Sequence, residues 1–177
     1  MKKMIETKKF DKWAKFYDII YHRYKDDIEF YKKEAKKING RVLEVPCGTG
    51  RIYLELLKEG VDAYGVDISK GMLKVLKEKA EELGLKPKIY RADIKNFKLK
   101  DKFSLILVPF SSFLLNLTTD DQIKTLKNIK AHLIPNGKLI IDFFFPTPKV
   151  IVKTYGKNIK KIIKTNEGKF LSINKSY

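Results

Sequence analysis

The chain has 177 residues, enough for one domain with a sizeable core, and 44% of them are apolar, too many for a disordered polymer. Its net charge of +17 is carried almost wholly by lysine, since arginine occurs only at Arg23, Arg41, Arg51 and Arg91. A single cysteine excludes an internal disulfide, the charged opening MKKMIETKKF is no signal peptide, and no apolar run approaches the roughly 18 residues of a membrane span, so a cytoplasmic protein is expected.

Elements follow in chain order. Between residues 10 and 38, apolar side chains recur in steps of three and four (Phe10, Trp13, Tyr17, Ile20, Tyr24, Ile28, Tyr31, Ala35, Ile38), one helical face with a break near Tyr24. Asn39-Gly40 stops it. Residues 41–45 read as a short buried strand, followed by the loop VPCGTG and a helix over about 50–58 that Gly60 ends. A second strand is predicted over 61–66. Ser69 is the N-cap of the next helix, whose face is Met72, Leu73, Leu76, Ala80 and Leu83, with Gly84 past its end and Pro87 as a stop. Residues 88–93 form a third strand and 103–110 a fourth, continuously apolar and so buried on both faces. Thr119 is expected to cap a helix running to His132, and Pro135-Asn136-Gly137 turns the chain into a fifth strand over 138–145. Strands alternating with helices at this rhythm predict an α/β fold, a doubly wound and mainly parallel sheet. Such sheets bind ligands beyond the carboxyl ends of their strands, where the loop after strand one lies.

That loop is not a phosphate loop. Gly48 and Gly50 are followed by Arg51 and Ile52 where Gly-Lys-Ser/Thr is needed, and Tyr53 stands where a dinucleotide fingerprint needs its third glycine. Cys47 has no Cys or His at ligand spacing, so no metal is expected; it reads as a small residue lining a turn, or as a nucleophile with His22 or His132 as base. What stands out is an acid at the end of each of the first three strands, Glu44, Asp67 and Asp93. The lysine excess suits anionic partners, so nucleic acid is a possible partner; the other reading is a solvated lysine surface, since specific nucleic-acid contacts lean on arginine and aromatic platforms.

With E-x-x-x-G-x-G (Glu44, Gly48, Gly50), GVDIS, RADI, an apolar fourth strand and PNGKLIIDF, the sequence resembles the class I S-adenosylmethionine-dependent methyltransferases, in a P-C-G-T-G-R form, from about Phe10 to Phe145. The resemblance implies a Rossmann-like core over residues 39–145, an N-terminal helical segment over the cofactor site at 1–38, and a tail at 146–177. It implies S-adenosylmethionine as cofactor: Gly48 and Gly50 admit its methionine portion, Glu44 faces its ammonium, Asp67 accepts from the ribose hydroxyls and Asp93 from the adenine amine, with Ile68, Met72 and Ile94 on the ring. Pro109, in the PFSSF segment after strand four, lies beside the transferred methyl. Arg51 is either a helix-start charge or a contact to the ligand carboxylate. Tyr17 and Tyr21 form a YDxxY pattern that either packs internally or lies over the cofactor. Pro46 stands in place of the family's first glycine, so that position needs neither a positive φ nor a donor.

The implied activity is methyl transfer to a small molecule, because Val108-Pro109-Phe110-Ser111 lacks the N/D-P-P-Y/F element of base-amine methyltransferases. The alternatives are an RNA or protein acceptor, and a cofactor-binding protein without its own complete catalytic site. No side chain is assigned a catalytic role. The family's last two strands are not expected in this chain; residues 159–165 and 169–177, flanking Asn166-Glu167-Gly168, read instead as a β-hairpin. Strand five is expected to be covered by this tail or by a second copy in a homodimer.

Overall fold

A computed structural model describes residues 2–145, 147–156, 158–165 and 168–175. Helices α1 (Lys2–Tyr21) and α2 (Ile28–Lys36) precede β1 (Val42–Glu44), α3 (Tyr53–Lys58), β2 (Ala63–Asp67), α4 (Lys70–Glu82), β3 (Lys88–Arg91) and β4 (Phe103–Val108). A 3-10 turn (Ser112–Leu115), α5 (Thr119–His132), β5 (Leu133–Ile141), α6 (Pro148–Thr154), β6 (Asn158–Thr165) and β7 (Gly168–Lys175) complete the order. Five strands form one parallel sheet in the order β3-β2-β1-β4-β5. Chain order reverses between β1 and β4, which opens a crevice at their carboxyl ends.

The two central strands explain the two cores. Val42, Leu105 and Leu107 face a cluster that holds Tyr31, Tyr53, Leu56 and Leu76 from α2, α3 and α4. Leu43, Ile106 and Val108, one residue out of phase, face a second cluster with Phe97, Phe103 and Ile129. The period of two thus sends alternate apolar residues into opposite layers, which is why β4 reads as unbroken apolar sequence. His132 belongs to this second layer: its ring packs on Phe97 at 4.3 Å, one nitrogen lies 2.8 Å from the Asn128 carbonyl and the other accepts from Leu99 N–H.

Several expectations shift by a few residues, each for a local reason. The single helical face of residues 10–38 divides at His22–Asp27, where Tyr24 N–H closes a turn on the Tyr21 carbonyl. The cap of α5 is Thr118, whose hydroxyl accepts from Asp121 N–H, and not Thr119. The fifth strand starts at Leu133, opposite Phe103, and the Pro135–Gly137 turn is a bulge inside it, with Asn136 at φ 61°. It stops at Ile141; Phe143, Phe144 and Phe145 lie past it, 55%, 66% and 89% exposed. Residues 149–154, left without an element above, fall in α6, which Thr147 caps. In the tail, β6 pairs antiparallel with β7 as a separate two-stranded sheet, while among the described residues β5 remains an edge of the main one. No helix among the described residues is long and apolar enough to cross a membrane.

Helix α1 is fixed to the core by two acids. Asp11 accepts from Ser69 Oγ (2.6 Å) and Gly71 N–H (2.8 Å), so it caps the start of α4 alongside Ser69 itself. Asp18 accepts from Thr49 Oγ1 (2.6 Å) and Lys79 Nζ (2.8 Å). Gly71 permits this approach, because a Cβ there would sit 2.7 Å from the Asp11 carbonyl oxygen. Gly71→Ala is therefore expected to lift α1 off α4 at a cost of about 1–3 kcal/mol, with thermal midpoint reduced by about 2–4 °C per kcal/mol. Limited trypsin digestion should cut α1 first in the variant; an unchanged midpoint and cutting pattern would show that α1 does not depend on this contact.

Candidate functional site

The loop after β1 is held as an extension of the sheet. Val45 N–H bonds the Leu107 carbonyl and Cys47 N–H the Val66 carbonyl, both at 2.9 Å, so the loop lies between β4 and β2. The Val45–Pro46 peptide is cis. Gly65, on β2 beneath the loop, has no room for a Cβ, which would meet Cys47 Sγ at 2.8 Å. Gly48 takes φ 53° and donates its N–H to Asp67 Oδ2 at 2.8 Å. Ser69 N–H reaches the other oxygen, Oδ1, at 2.8 Å. One carboxylate thereby fixes both the loop after β1 and the start of α4.

Above these strand ends opens a cleft of about 360 Å³. Glu44, Gly48, Asp67, Ile68, Met72, Asp93, Ile94 and Pro109 line it, as do Tyr17, Tyr21 and Arg51. The predicted site residues are thus brought to one place, with one exception. Gly50 does not line the cleft; at φ 83° it turns the chain into α3, and a Cβ would meet Leu76 Cγ at 2.8 Å and Leu54 Cγ at 3.0 Å. Its glycine is required by backbone and packing beneath the loop.

Glu44 is 3% exposed, and its Oε2 has no hydrogen-bond partner among the described residues. Burial pushes its carboxyl well above the ordinary value of 4.5; Arg51 pulls the other way, and the charges of Asp67 and Asp27 add to the rise. Asp67 is raised as well, by burial, although the amides of Ser69 and Gly48 oppose the shift. Asp93 closes a turn after β3, accepting from Lys95 N–H at 3.0 Å. Cys47 is buried and its thiol is pushed well up, first by burial and then by Asp67 and Glu44; neither His22 nor His132 lines the cleft. A buried neutral thiol with no adjacent base is a packing residue.

Arg51 forks onto Asp27 at 2.6 and 2.7 Å, donates to the Tyr24 carbonyl at 2.8 Å, and lies 4.8 Å over the Phe110 ring. Burial lowers its affinity for the proton, but the pair with Asp27 outweighs burial and the net shift is upward. Tyr21 stands 4.7 Å from Tyr17 and 5.1 Å from Phe110, and Tyr24 stands 5.7 Å from Phe110, so one wall of the cleft is a set of aromatic edges. Burial raises the pKa of both Tyr17 and Tyr21, leaving these phenols neutral donors. Sequence reasoning missed Asp27 and Asp142 as partners of this wall. The acid in LIIDFFF was the one available signal, a lone charge in an apolar run. No group of three or more potential metal ligands occurs among the described residues.

Residues 42–137, more than half of the chain, match a family model described as a methyltransferase domain. Over 141 residues the chain is 30% identical to the dTDP-3-amino-3,4,6-trideoxy-alpha-D-glucopyranose N,N-dimethyltransferase of Streptomyces venezuelae, covering 75% of this chain and 58% of that one. It is 27% identical over 133 residues to a putative methyltransferase of Bacillus subtilis, covering 73% of this chain and 53% of that one. The chain thus spans somewhat more than half the length of these curated relatives. A crystal structure of an S-adenosylmethionine-dependent methyltransferase from Clostridium acetobutylicum superposes with a TM-score of 0.72 at 22% identity, over 95% of this chain and 82% of that one. A sugar N-methyltransferase from Streptoalloteichus gives 0.72 at 24%, over 91% and 65%. At these identities the two structures establish a common fold.

Because the folded Glu44 holds its proton above the ordinary value, the native state binds more protons than the unfolded chain in the window that starts at 4.5 and runs upward. Stability of the ligand-free protein therefore falls as pH rises through that window. Glu44→Gln removes the titration, and its thermal midpoint is expected to exceed the wild type's by a margin that widens toward alkaline pH. Relief of a buried carboxylate one of whose oxygens has no partner among the described residues is worth about 1–3 kcal/mol. A margin that stays constant with pH, or reverses, contradicts the assignment.

Proposed function

The chain belongs to the methyltransferase domain family, and from that premise we propose that it is an S-adenosylmethionine-dependent methyltransferase acting on a small molecule. The observation that carries the reading is the arrangement of Glu44, Asp67 and Asp93, carboxylates at or just past the ends of three adjacent strands that open on one cleft. The residues fit the cofactor chemically. Glu44 offers the ligand's ammonium an oxygen that has no partner among the described residues. Each Asp67 oxygen already takes one amide and keeps a second lone pair, which suits a vicinal diol. Asp93, on the same cleft, would accept from the adenine amine, with Ile68, Met72 and Ile94 as the apolar bed. Gly48 leaves open space where a side chain would project.

When bound, the cofactor supplies an electrophilic methyl on a sulfonium sulfur. The protein's part is alignment and exclusion of water: α1 covers the cleft with Phe10, Tyr17 and Tyr21, and the segment from Pro109 to Asn116 supplies Phe110, Ser111, Ser112 and Asn116 on the acceptor side. No charged acid–base pair is needed on that side if the acceptor is a neutral amine, whose lone pair attacks without prior loss of a proton. The name of the Streptomyces venezuelae relative, an N,N-dimethyltransferase of a dTDP-linked amino sugar, supports an amino group on a small molecule as the first acceptor to try.

Calorimetric titration with S-adenosylmethionine and S-adenosylhomocysteine tests the reading. Binding is expected, and Asp67→Ala should weaken it about 10–100-fold through loss of charge-assisted bonds. Absence of binding at millimolar ligand would end the proposal. Methyl transfer from labelled S-adenosylmethionine to a panel of amino sugars tests the acceptor, and transfer to RNA in its place would redirect it.

A further inference from the structure

Asp142 sits one residue past the end of β5 and is not among the side chains lining the cleft, yet three donors converge on it. Its Oδ2 accepts Phe110 N–H at 2.6 Å and the Tyr31 hydroxyl at 2.7 Å, and its Oδ1 accepts Ser111 N–H. Phe110 and Ser111 lie at φ 57° and 55°, a left-handed conformation that residues with a Cβ adopt rarely and that persists only where the surroundings impose it. Two successive amides turned toward one carboxylate are such an imposition, since charge-assisted bonds are the strong ones. Ser111 Oγ in turn accepts Phe144 N–H at 2.7 Å, so the turn and the chain leaving β5 hold each other.

The left-handed turn aims the Phe110 ring. That ring is the common neighbour of Tyr17, Tyr21 and Tyr24, with the Arg51 guanidinium over it. Tyr31 is 1% exposed on α2, the helix that follows Asp27, the partner of Arg51. Asp142 therefore ties β5, the turn after β4 and α2 into one unit on the acceptor side. The residues assigned above to the cofactor come from β1, β2, α4 and the segments that follow β1, β2 and β3, and they share none of these bonds.

We propose that Asp142 is a positioning residue for methyl transfer: it holds the Phe110–Ser111 turn, and through it the Phe110 ring, as the acceptor-facing wall, and takes no part in holding the cofactor. The inference rests on the function proposed above and names the residue that shapes its acceptor side.

Asp142→Asn tests it, because an amide in place of the carboxylate offers one accepting oxygen where two amides need one each. In the full-length variant, S-adenosylhomocysteine affinity by calorimetry is expected to stay within about threefold of wild type. The Phe110 and Ser111 amide protons of the 15N-labelled protein should lose their downfield positions and exchange faster with solvent. The rate of transfer to whichever amino sugar the wild type methylates should fall about 100-fold, with KM for S-adenosylmethionine unchanged. Tyr31→Phe removes one donor and leaves both amide bonds, so it should speed exchange of the same two amides to a smaller extent, and it serves where Asp142→Asn does not fold. Amide positions and exchange unchanged in both variants overturn the anchoring role. Transfer unchanged while the amides are released, or cofactor affinity lost more than about tenfold in a folded variant, overturns the positioning role. A wild type that binds no S-adenosylhomocysteine removes the underlying function, and the amide measurements still decide whether Asp142 holds the turn.

Discussion

Everything in the cleft depends on Asp67 being buried and bonded to backbone. Its two oxygens take the amides of Gly48 and Ser69, so one side chain at the end of β2 sets the height of the loop after β1 and the first turn of α4. Neither segment is regular enough to hold itself there. Gly48 is in a left-handed conformation, and the first turn of a helix leaves its N–H groups without internal partners. The carboxylate answers both needs, and amides aimed at it offset part of the burial penalty that raises its proton affinity. Asp11 repeats the device one layer out, on Ser69 Oγ and Gly71 N–H, and so couples the covering helix to the same few backbone atoms.

The charge of the chain and the charge of its cleft have opposite signs. Lysine gives the molecule +17, but Glu44, Asp67 and Asp93 all open on the cleft. The two cationic side chains that also line it are already matched, Arg51 by Asp27 and Lys95 by Asp121. A strongly basic composition is an argument about the outer field, felt by any polyanion at a distance. Inside, three acidic side chains share the cleft, and Glu44 keeps an oxygen without a hydrogen-bond partner among the described residues, a setting that repels a phosphate. The lysine surface and the nature of the bound ligand are therefore separate questions, and the first gives no answer to the second.

Local chemistry was readable from sequence where the partners are near in the chain. Ser69 as cap, Gly84 past the end of α4, the doubly buried β4 and the acids Glu44 and Asp67 at their strand ends all follow from spacing within some dozen residues, whereas β3 stops at Arg91 and leaves Asp93 two residues past it. Reading failed where the partner is distant or where two neighbours are chemically equivalent. Thr118 and Thr119 are equally good caps in sequence, and the choice falls to the one with extended backbone at ψ 149°. The bulge in β5 arises because Leu133 pairs with Phe103 before the Pro135–Gly137 turn, a register that no periodicity in 138–145 announces. Tyr31 and Asp142 lie 111 residues apart, and each alone looks like something else, a core aromatic and the odd acid of an apolar strand.

Arg51 brings these strands of argument together. At the sequence level it stood between a helix-start charge and a hand for the ligand's carboxylate. In the fold it is committed to Asp27 through both terminal nitrogens and to Phe110 through its face, and a guanidinium bound in that way is not free to neutralise Glu44. The commitment has a consequence on each side of the cleft. On one side, it backs the ring that the turn at Phe110 presents. On the other, it leaves Glu44 buried with an oxygen that lacks a partner among the described residues, its proton affinity tempered by Arg51 but its hydrogen-bonding need unmet. A pocket that keeps a buried carboxyl group in this condition is destabilised, and under the function proposed above the free energy regained when the cofactor's ammonium supplies the missing partner adds to the affinity for it.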